Sequence, residues 1–176
     1  MLTLIVDTRE QKPLEFKNYS HSFSTVRDTL YVGDYGCLWE DGVEMPVVVE
    51  RKSIADLFGT LTSGMERFKR ELNRAKEGGT KIVLAVEGTM TEVLVGIPHS
   101  RVKGESILKT VFSLWVKYDL MPVFCANRSE MERYITETFT AISRNFKSSK
   151  IMGVFDEGRG AVETVQQVEA VEGKDA

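Results

Sequence analysis

The sequence contains little cysteine, histidine or proline. Its 176 residues include two Cys, two His and four Pro. Cys37 and Cys125 form neither a disulfide framework nor a metal-binding spacing, and a reducing compartment fits this usage best. His21 and His99 are far apart and have no Cys or His at ligand spacing, so both are interpreted as loop residues rather than metal ligands.

The sequence also lacks a long hydrophobic run. No stretch approaches the roughly 20 apolar residues of a membrane-spanning helix, and the initial LTLIVD has no signal-peptide pattern. We therefore expect no membrane contact and an intracellular location, in the cytoplasm or nucleoid, or in the nucleus of a eukaryote. The hydrophobic and charged fractions, 42% and 28%, are ordinary for a globular domain with a buried core.

Charge is distributed unevenly around a net value of −3. Residues 1–50 carry nine acidic and four basic side chains, whereas residues 51–81 carry four acidic and eight basic ones. Residues 97–150 are again basic, with nine Lys or Arg against five Asp or Glu. A carboxylate metal site beside a phosphate-binding surface would give this distribution, but so would ordinary solvated helices.

Hydrophobic periodicity predicts an α/β protein with a mixed central sheet flanked by helices. The segment Lys81–Val86 is apolar almost throughout, as in a strand covered on both faces. The second strand is expected to place Val26, Leu30 and Val32 on its apolar face. Strands are predicted at 2–6, 23–32, 36–40, 43–52, 81–86 and 121–125, and helices at 53–61, 65–77, 90–95, 105–118 and 129–145.

The charged end of the fourth predicted strand is the most informative feature. The valines at 47–49 predict a buried strand, which ends in Glu50, Arg51 and Lys52. Burying such a triplet is costly unless the charges have partners or a metal ion. Because strand residues alternate, Glu50 and Lys52 share one face and Arg51 lies on the other. Taken alone, Glu-x-Lys favours an ion pair on a solvated sheet rim over a metal site.

The dipeptide Asp41-Gly42 predicts a hairpin that decides whether Asp34 meets Glu50. With a two-residue turn, the numbers of paired residues sum to 83, and Asp34 faces Val49. One extra residue or a bulge changes the sum to 84, and Asp34 then faces Glu50. We expect the second register, because only it brings the two carboxylates together.

Four side chains at predicted strand ends or turns, Asp7, Asp34, Glu50 and Lys52, can form one cluster. Carboxylate oxygens without histidine or thiolate ligands favour Mg²⁺ or Mn²⁺ over zinc. Such an ion neutralises a phosphodiester, acidifies a bound water and stabilises the leaving oxygen. The basic helix from Arg67 to Lys76 and the basic loop with Arg101 and Lys103 would then hold a nucleic-acid backbone.

Several motifs together resemble the XPF/Hef-type structure-specific endonucleases of the PD-(D/E)xK nuclease superfamily. VDTRE (6–10), GDY (33–35) and VERKSIADL (49–57) follow that family's order, and MERFKREL (65–72) and LAVEG (84–88) are similar to its next helix and strand. The resemblance covers residues 2–146 and is more specific than Glu-x-Lys alone. It implies a restriction-endonuclease-like fold and metal-dependent endonuclease activity on branched or flap DNA, in repair or recombination.

The resemblance also implies roles for individual residues. Asp34 and Glu50 resemble the carboxylates that bind Mg²⁺ or Mn²⁺, Asp7 a further metal-binding acid, and Lys52 the lysine that positions the attacking water and the phosphate. Asp56 matches another acidic active-site position, although Ser53-x-x-Asp56 equally predicts a helix capping box. Arg51 is explained as well by structural ion pairing as by substrate contact. The predicted DNA-binding residues are Arg9, Glu10, Arg51, Arg67, Arg70, Arg101 and Lys103.

Domain organisation and partners follow from the same resemblance. Similar nucleases typically act as dimers, and the helices that carry Trp115 and Tyr134 are the predicted subunit contacts. Residues 1–146 are expected to form the nuclease domain, and residues 147–176 a mobile acidic tail. Because that tail is too short and acidic for the family's tandem helix-hairpin-helix modules, DNA-structure selectivity is expected from the nuclease domain itself or from a protein partner.

Two other functions compete with a DNA endonuclease. A catalytically silent DNA-binding or scaffold subunit would keep the architecture without the chemistry. The intact residues Asp34, Glu50, Lys52 and Asp56 argue against it. A non-nuclease protein with a structural cation on its acidic face is the second alternative. Because that protein would not depend on Lys52, the lysine distinguishes it from a nuclease.

Overall fold

Residues 1–146, the part of the chain that the computed structural model describes, form a six-stranded sheet with flanking helices. The predicted acidic tail at 147–176 lies outside these residues. No helix within residues 1–146 is long and apolar enough to cross a membrane. The strands are β1 (Leu2–Asp7), β2 (Phe23–Asp28), β3 (Tyr35–Leu38), β4 (Val47–Ser53), β5 (Lys81–Glu87) and β6 (Met121–Cys125); the helices are α1 (Ile54–Leu61), α2 (Met65–Glu77), α3 (Met90–Val95), α4 (Gly104–Tyr118) and α5 (Arg128–Asn145).

The sheet is mixed, as predicted, with the strand order β2-β1-β3-β4-β5-β6. The strand β1 is parallel to β2 and antiparallel to β3, and β3 is antiparallel to β4. The strands β4, β5 and β6 are parallel, so their carboxyl ends lie at one edge of the sheet. This edge carries the charged residues of β4, and the α/β fold class is confirmed.

Two hydrophobic cores cover the two faces of the sheet. Val49 packs with Phe139 and other residues of α5, whereas Val48 packs with α1, α2 and α4. Alternation along β4 therefore directs Glu50 and Lys52 to the face with α1 and α2, and Arg51 to the face with α5. The predicted separation of the charged triplet onto two faces is present.

The hairpin has the register that brings Asp34 to Glu50. Tyr35 pairs with Val49, so the numbers of these paired residues sum to 84, and Asp34 and Glu50 are the next residues along the two arms of the hairpin. The backbone N–H of Asp34 donates over 2.8 Å to the Val49 carbonyl, so the ladder becomes irregular at Asp34. The sum of 84 expected from the sequence is confirmed at Tyr35 and Val49, and the effect of the Asp34 charge on Glu50 indicates that the two carboxylates lie near each other.

The shift that produces this register lies in the β4 arm of the hairpin, not in its turn. Near the tip of the hairpin Leu38 pairs with Glu44, so the numbers of the paired residues sum to 82 there. The loop itself has three residues, and Gly42 adopts a φ of 81° in it. Between this pair and the Tyr35–Val49 pair, the arm that contains Pro46 has two more residues than the other arm, so the sum of the paired residue numbers rises from 82 to 84. Proline suits this irregular segment because it has no N–H to donate to the ladder.

The second strand is shorter and more exposed than predicted. It ends at Asp28, and Val26 is 40% exposed because β2 is an edge strand. Leu30 and Val32 are buried, at 3% and 2% exposure, but they belong to the loop between β2 and β3. Apolar residues continue at every second position beyond Asp28, at Leu30 and Val32, so the sequence pattern did not reveal where the strand ends.

Candidate active site

A polar cavity of about 310 Å³ opens at the carboxyl end of β4. A neighbouring groove of about 530 Å³ shares Lys52 and Asp56 with it and also includes Arg67. The predicted residues from three separate motifs thus meet at one place. The cavity is lined by Arg9, Glu10, Gln11, Lys12, Asp34, Arg51, Lys52 and Asp56.

Asp34 and Glu50 are neighbouring carboxylates whose charges interact. The tight turn at Gly33, with a φ of 81° and with space for a Cβ blocked by Val48 at 2.9 Å, delivers Asp34 to this position. Its Oδ2 accepts a 2.8 Å hydrogen bond from the Arg51 backbone N–H. Burial raises the pKa of Asp34 to about 6, and burial together with the neighbouring Asp34 charge raises the pKa of Glu50 to about 7.

Lys52 provides the positive charge beside this pair. Its ammonium contacts Glu50 Oε1 and lies 6.0 Å from the centre of the Phe68 ring on α2. Burial alone would lower the pKa of Lys52, but the adjacent Glu50 carboxylate outweighs it and the pKa is raised. The lysine is therefore held as an ammonium that can donate hydrogen bonds into the cavity.

The Asp34–Glu50 pair fits a hard divalent cation. Two buried carboxylates disfavour each other's ionisation, and a cation between them would remove that penalty. Within residues 1–146 no group of three or more His, Cys, Asp or Glu is arranged to hold a metal. The remaining ligands would therefore be waters and substrate phosphate, which is how Mg²⁺ is commonly bound.

Asp7 lies beside the cavity but is fully engaged by protein donors. Its two oxygens accept hydrogen bonds from the Arg9 side chain at 2.7 and 2.9 Å and from the Arg9 and Leu30 backbone, both at 2.8 Å. Burial raises the pKa of Asp7, but these donors outweigh it and the pKa is lowered. The contacts favour a positioning role for Asp7, whose assignment as a metal ligand stays a prediction. Arg9 itself has a 64% exposed side chain at the mouth of the cavity.

Arg51 lines the cavity and is the centre of a partly buried ion network that extends towards α5. Its side chain is 9% exposed and donates to Glu10 at 3.2 Å and to Glu87 at 2.7 Å. Arg128 also reaches Glu87, at 3.4 Å, and donates to the Lys12 carbonyl at 2.9 Å. These contacts favour the structural alternative for Arg51 and Glu10, whose assignment to substrate binding stays a prediction.

Sequence reasoning missed Glu87 and Arg128 as members of this network. Glu87 is the last residue of β5 and pairs with Ser53, the last residue of the parallel strand β4. The rule that parallel strands end at the same edge would have placed Glu87 near the charged triplet. Arg128 had no comparable signal, because it reaches the network from α5, far along the chain.

Asp56 combines the two roles considered for it. Its backbone N–H donates to Ser53 Oγ over 3.1 Å, and the Ser53 hydroxyl donates back to Asp56 Oδ2 over 2.6 Å. The N-cap prediction is thereby confirmed. Because Asp56 also lines both depressions around Lys52, its catalytic assignment stays a prediction with suitable geometry.

The predicted basic residues fall into two groups. Arg67 lines the groove next to Lys52, and Arg70 is on the exposed side of the same helix, α2. Arg101 and Lys103 line a separate depression of about 330 Å³ between α3 and α4. The structure does not bring this second group to the cavity with the carboxylates.

Comparisons with known proteins agree with the fold. The ERCC4 domain family matches residues 6–138. XPF from Aeropyrum pernix is similar to this chain with a TM-score of 0.60 and 19% identity, over 93% of this chain and 73% of that one. XPF from Aeropyrum pernix in complex with DNA has a TM-score of 0.62 and 20% identity, over 85% of this chain and 70% of that one.

At this identity the two structures show a shared fold, and no curated protein matches the sequence. The family match is more informative, because it spans most of the chain and includes Asp34, Glu50 and Lys52. The protein therefore belongs to the ERCC4 domain family of structure-specific DNA nucleases, as its resemblance to XPF-type enzymes predicted.

Proposed function

We propose that this protein is a Mg²⁺- or Mn²⁺-dependent DNA endonuclease that hydrolyses phosphodiester bonds at branched or flap structures during repair or recombination. The observation that carries the proposal is the clustering of Asp34, Glu50 and Lys52, because Lys52 contacts Glu50 and the charges of Asp34 and Lys52 both act on the Glu50 carboxylate. An acid pair and an ammonium at one strand end suit hydrolysis of a phosphodiester.

Each residue of the site has a distinct role in this mechanism. Asp34 and Glu50 hold the divalent ion, which, when bound, supplies charge neutralisation at the phosphate and a more acidic water. Lys52 donates a hydrogen bond that orients the attacking water or a non-bridging oxygen, and it stabilises the charge that develops there. Arg9, exposed at the mouth of the cavity, contacts the phosphate from the solvent side.

The ion network around Arg51 helps to fix the orientation of the Asp34 carboxylate. The Arg51 backbone N–H orients the Asp34 carboxylate, and the Arg51 side chain is fixed by Glu10 and Glu87. Since the backbone and side chain of one residue link the carboxylate to the core, Asp34 can keep its orientation when substrate arrives. Positioning of this kind is a large part of catalysis.

Self-association is a second part of the proposal. Phe112 and Trp115 on α4 are 37% and 48% exposed, and their ring centres are 6.4 Å apart. An exposed aromatic pair of this kind is suited to a subunit contact. A homodimer through α4, and a protein partner that adds selectivity for DNA structure, accordingly remain predictions.

The main test is cleavage by Lys52 variants. We expect wild-type protein with Mg²⁺ or Mn²⁺ to cut at least one of a panel of labelled duplex, flap, fork, four-way and single-stranded DNAs, and not to cut with chelator. Lys52→Ala should reduce the rate by about 100-fold or more, because the hydrogen bond to the reacting group is lost. Mn²⁺ binding, measured by calorimetry, should survive in that variant.

Lys17→Ala, whose side chain is 79% exposed in the segment between β1 and β2, is the matched control and should cut at the wild-type rate. If Lys52→Ala cuts as fast as wild type, the catalytic assignment of Lys52 is wrong. If wild-type protein binds DNA but cuts none of the panel with either metal, the endonuclease proposal fails in favour of the scaffold alternative.

A further inference from the structure

An exposed tyrosine lies close to the candidate active site. Tyr31 is three residues before Asp34 and keeps 64% of its surface exposed. Its neighbours Leu30 and Val32 are 3% and 2% exposed, so the core holds the loop while the tyrosine remains in solvent. The mechanism above gives this side chain no role.

The loop that carries Tyr31 is anchored on both sides. The Leu30 N–H donates to Asp7 Oδ2 and the Leu30 carbonyl accepts from Arg9 Nη2, both over 2.8 Å. On the other side the Asp34 N–H donates to the Val49 carbonyl over 2.8 Å. Because few residues separate these anchors, the position of Tyr31 relative to the acid pair is well defined.

A row of arginines connects the groove beside Lys52 to Tyr31. Arg67, Arg70 and Arg74 follow helical spacing on the exposed side of α2. Arg67 lines the groove, and the Arg74 guanidinium lies 5.8 Å from the centre of the Tyr31 ring. Seven residues of helix place the two ends of the row about 10 Å apart, a distance that one or two nucleotides of a single strand can span.

We propose that Tyr31 and Arg74 form a subsite that stacks an unpaired nucleobase beside the scissile phosphate. An aromatic face next to an arginine binds any base through its π surface, and the arginine row binds the adjoining phosphates. In a duplex the π surface of each base is covered by the neighbouring base pairs. The subsite therefore selects DNA with a single-stranded segment at the cleavage point. The inference rests on the proposed function, because the proposed endonuclease mechanism is what places the scissile phosphate at Asp34, Glu50 and Lys52.

The test measures binding without catalysis. The whole chain in chelator is titrated with three fluorescent probes of one sequence: a single strand, a duplex with a single-stranded flap, and a blunt duplex. Tyr31→Ala should weaken binding to the first two by about 5- to 150-fold, the range that corresponds to losing one stacked base. Tyr31→Phe should bind within about twofold of wild type, and blunt-duplex binding should change by less than about twofold.

A second measurement identifies the base. Abasic sites are placed one at a time along the single-stranded part of the flap probe. At one position the abasic site should weaken binding to wild type as much as Tyr31→Ala does, and combining the two changes should add nothing further. Tyr31→Leu, which keeps an apolar side chain without a π face, should resemble the alanine variant.

Three results overturn the inference. These are unchanged flap binding by Tyr31→Ala, equal weakening on the blunt duplex, and weaker self-association in sedimentation without a DNA effect, which would make Tyr31 a protein contact. Failure of the proposed function is recognised separately, because it appears as absent cleavage by wild-type protein with metal. An active wild-type enzyme with an unaffected Tyr31→Ala variant refutes the base subsite alone.

Discussion

At the scale of single residues, the candidate site is a place where folding opposes ionisation. Burial raises the pKa of both Asp34 and Glu50, and the Asp34 charge raises the pKa of Glu50 further. Lys52 offsets part of this cost at both carboxylates. The metal-free protein therefore carries strain in its acid pair, which a bound divalent ion would relieve.

This cost predicts a pH-dependent gain in stability for Asp34→Asn. The pKa of Asp34 is about 6 in the folded protein against 3.8 for an ordinary aspartate, so the folded state binds more protons across that window. Folding stability of the wild type is therefore lost as pH rises from about 4 to 6. Since asparagine cannot ionise, the variant should be more stable than wild type at pH 8, by about 1–3 kcal/mol, and equally stable near pH 4.

The measurement is denaturant unfolding in chelator at both pH values. Asparagine still offers an oxygen to the Arg51 N–H, so the hydrogen bond at 2.8 Å is kept. Glu137→Gln, at an exposed position on α5, is the control and should show no comparable gain. A loss of stability at pH 8 in Asp34→Asn would show that Asp34 is not a destabilising charge.

The same pKa values predict how metal affinity depends on pH. Because the cation competes with protons for Asp34 and Glu50, Mn²⁺ affinity should fall as pH drops below about 7. Calorimetric titrations between pH 5.5 and pH 8 would measure this fall. Affinity that is constant over this range would place the metal elsewhere.

At the scale of elements, close packing of α3 against α4 depends on one glycine. A Cβ on Gly104 would lie 2.0 Å from the Val93 carbonyl oxygen and 2.7 Å from Leu94 Cα. These atoms belong to the backbone and cannot move aside as a flexible side chain would. The start of α4 therefore requires glycine for steric reasons, not for a left-handed conformation.

Gly104→Ala should consequently destabilise the protein by about 2–4 kcal/mol, since the two helices must separate to admit the methyl group. A methyl group added at Gly59 in α1 would meet no atom within 4 Å, so Gly59→Ala should instead stabilise by about 0.5–1 kcal/mol. Thermal and denaturant unfolding measure both. Similar stabilities for the two variants would contradict the packing at Gly104.

At the scale of the whole molecule, an acidic protein presents a local basic surface. The net charge is −3, yet Arg67, Arg70 and Arg74 lie together on the exposed side of α2. We therefore expect long-range attraction to DNA to be weak and binding to depend mainly on this surface. Salt titrations should reveal how many phosphates it contacts.

Removing Arg70 should reduce the salt dependence of DNA binding. We expect the slope of log affinity against log salt concentration to become shallower by about 0.7–0.9 for Arg70→Ala, the value for one lost phosphate contact. Arg133→Ala, exposed on α5, should leave the slope unchanged. Equal effects from both variants would mean that binding follows overall charge rather than the α2 surface.

Local sequence patterns determined the elements and the faces of this protein. The helix over Met65–Glu77 and the strand over Met121–Cys125 have the bounds that periodicity predicts. The strand that carries Glu50 and Lys52 was recognisable because a continuous run of valines stops abruptly at charged residues. Such signals are encoded within a few consecutive positions, so they survive without knowledge of the fold.

Only the tertiary structure decided how the candidate site is assembled. The two extra residues around Pro46 select the register, Asp7 is engaged by Arg9 and Leu30, and Arg51 is paired with Glu87. Each of these outcomes depends on contacts between residues that are far apart along the chain or on a count of residues in an irregular segment. Periodicity specifies which face a side chain takes, but the partner it meets there is specified by the packing of the whole sheet.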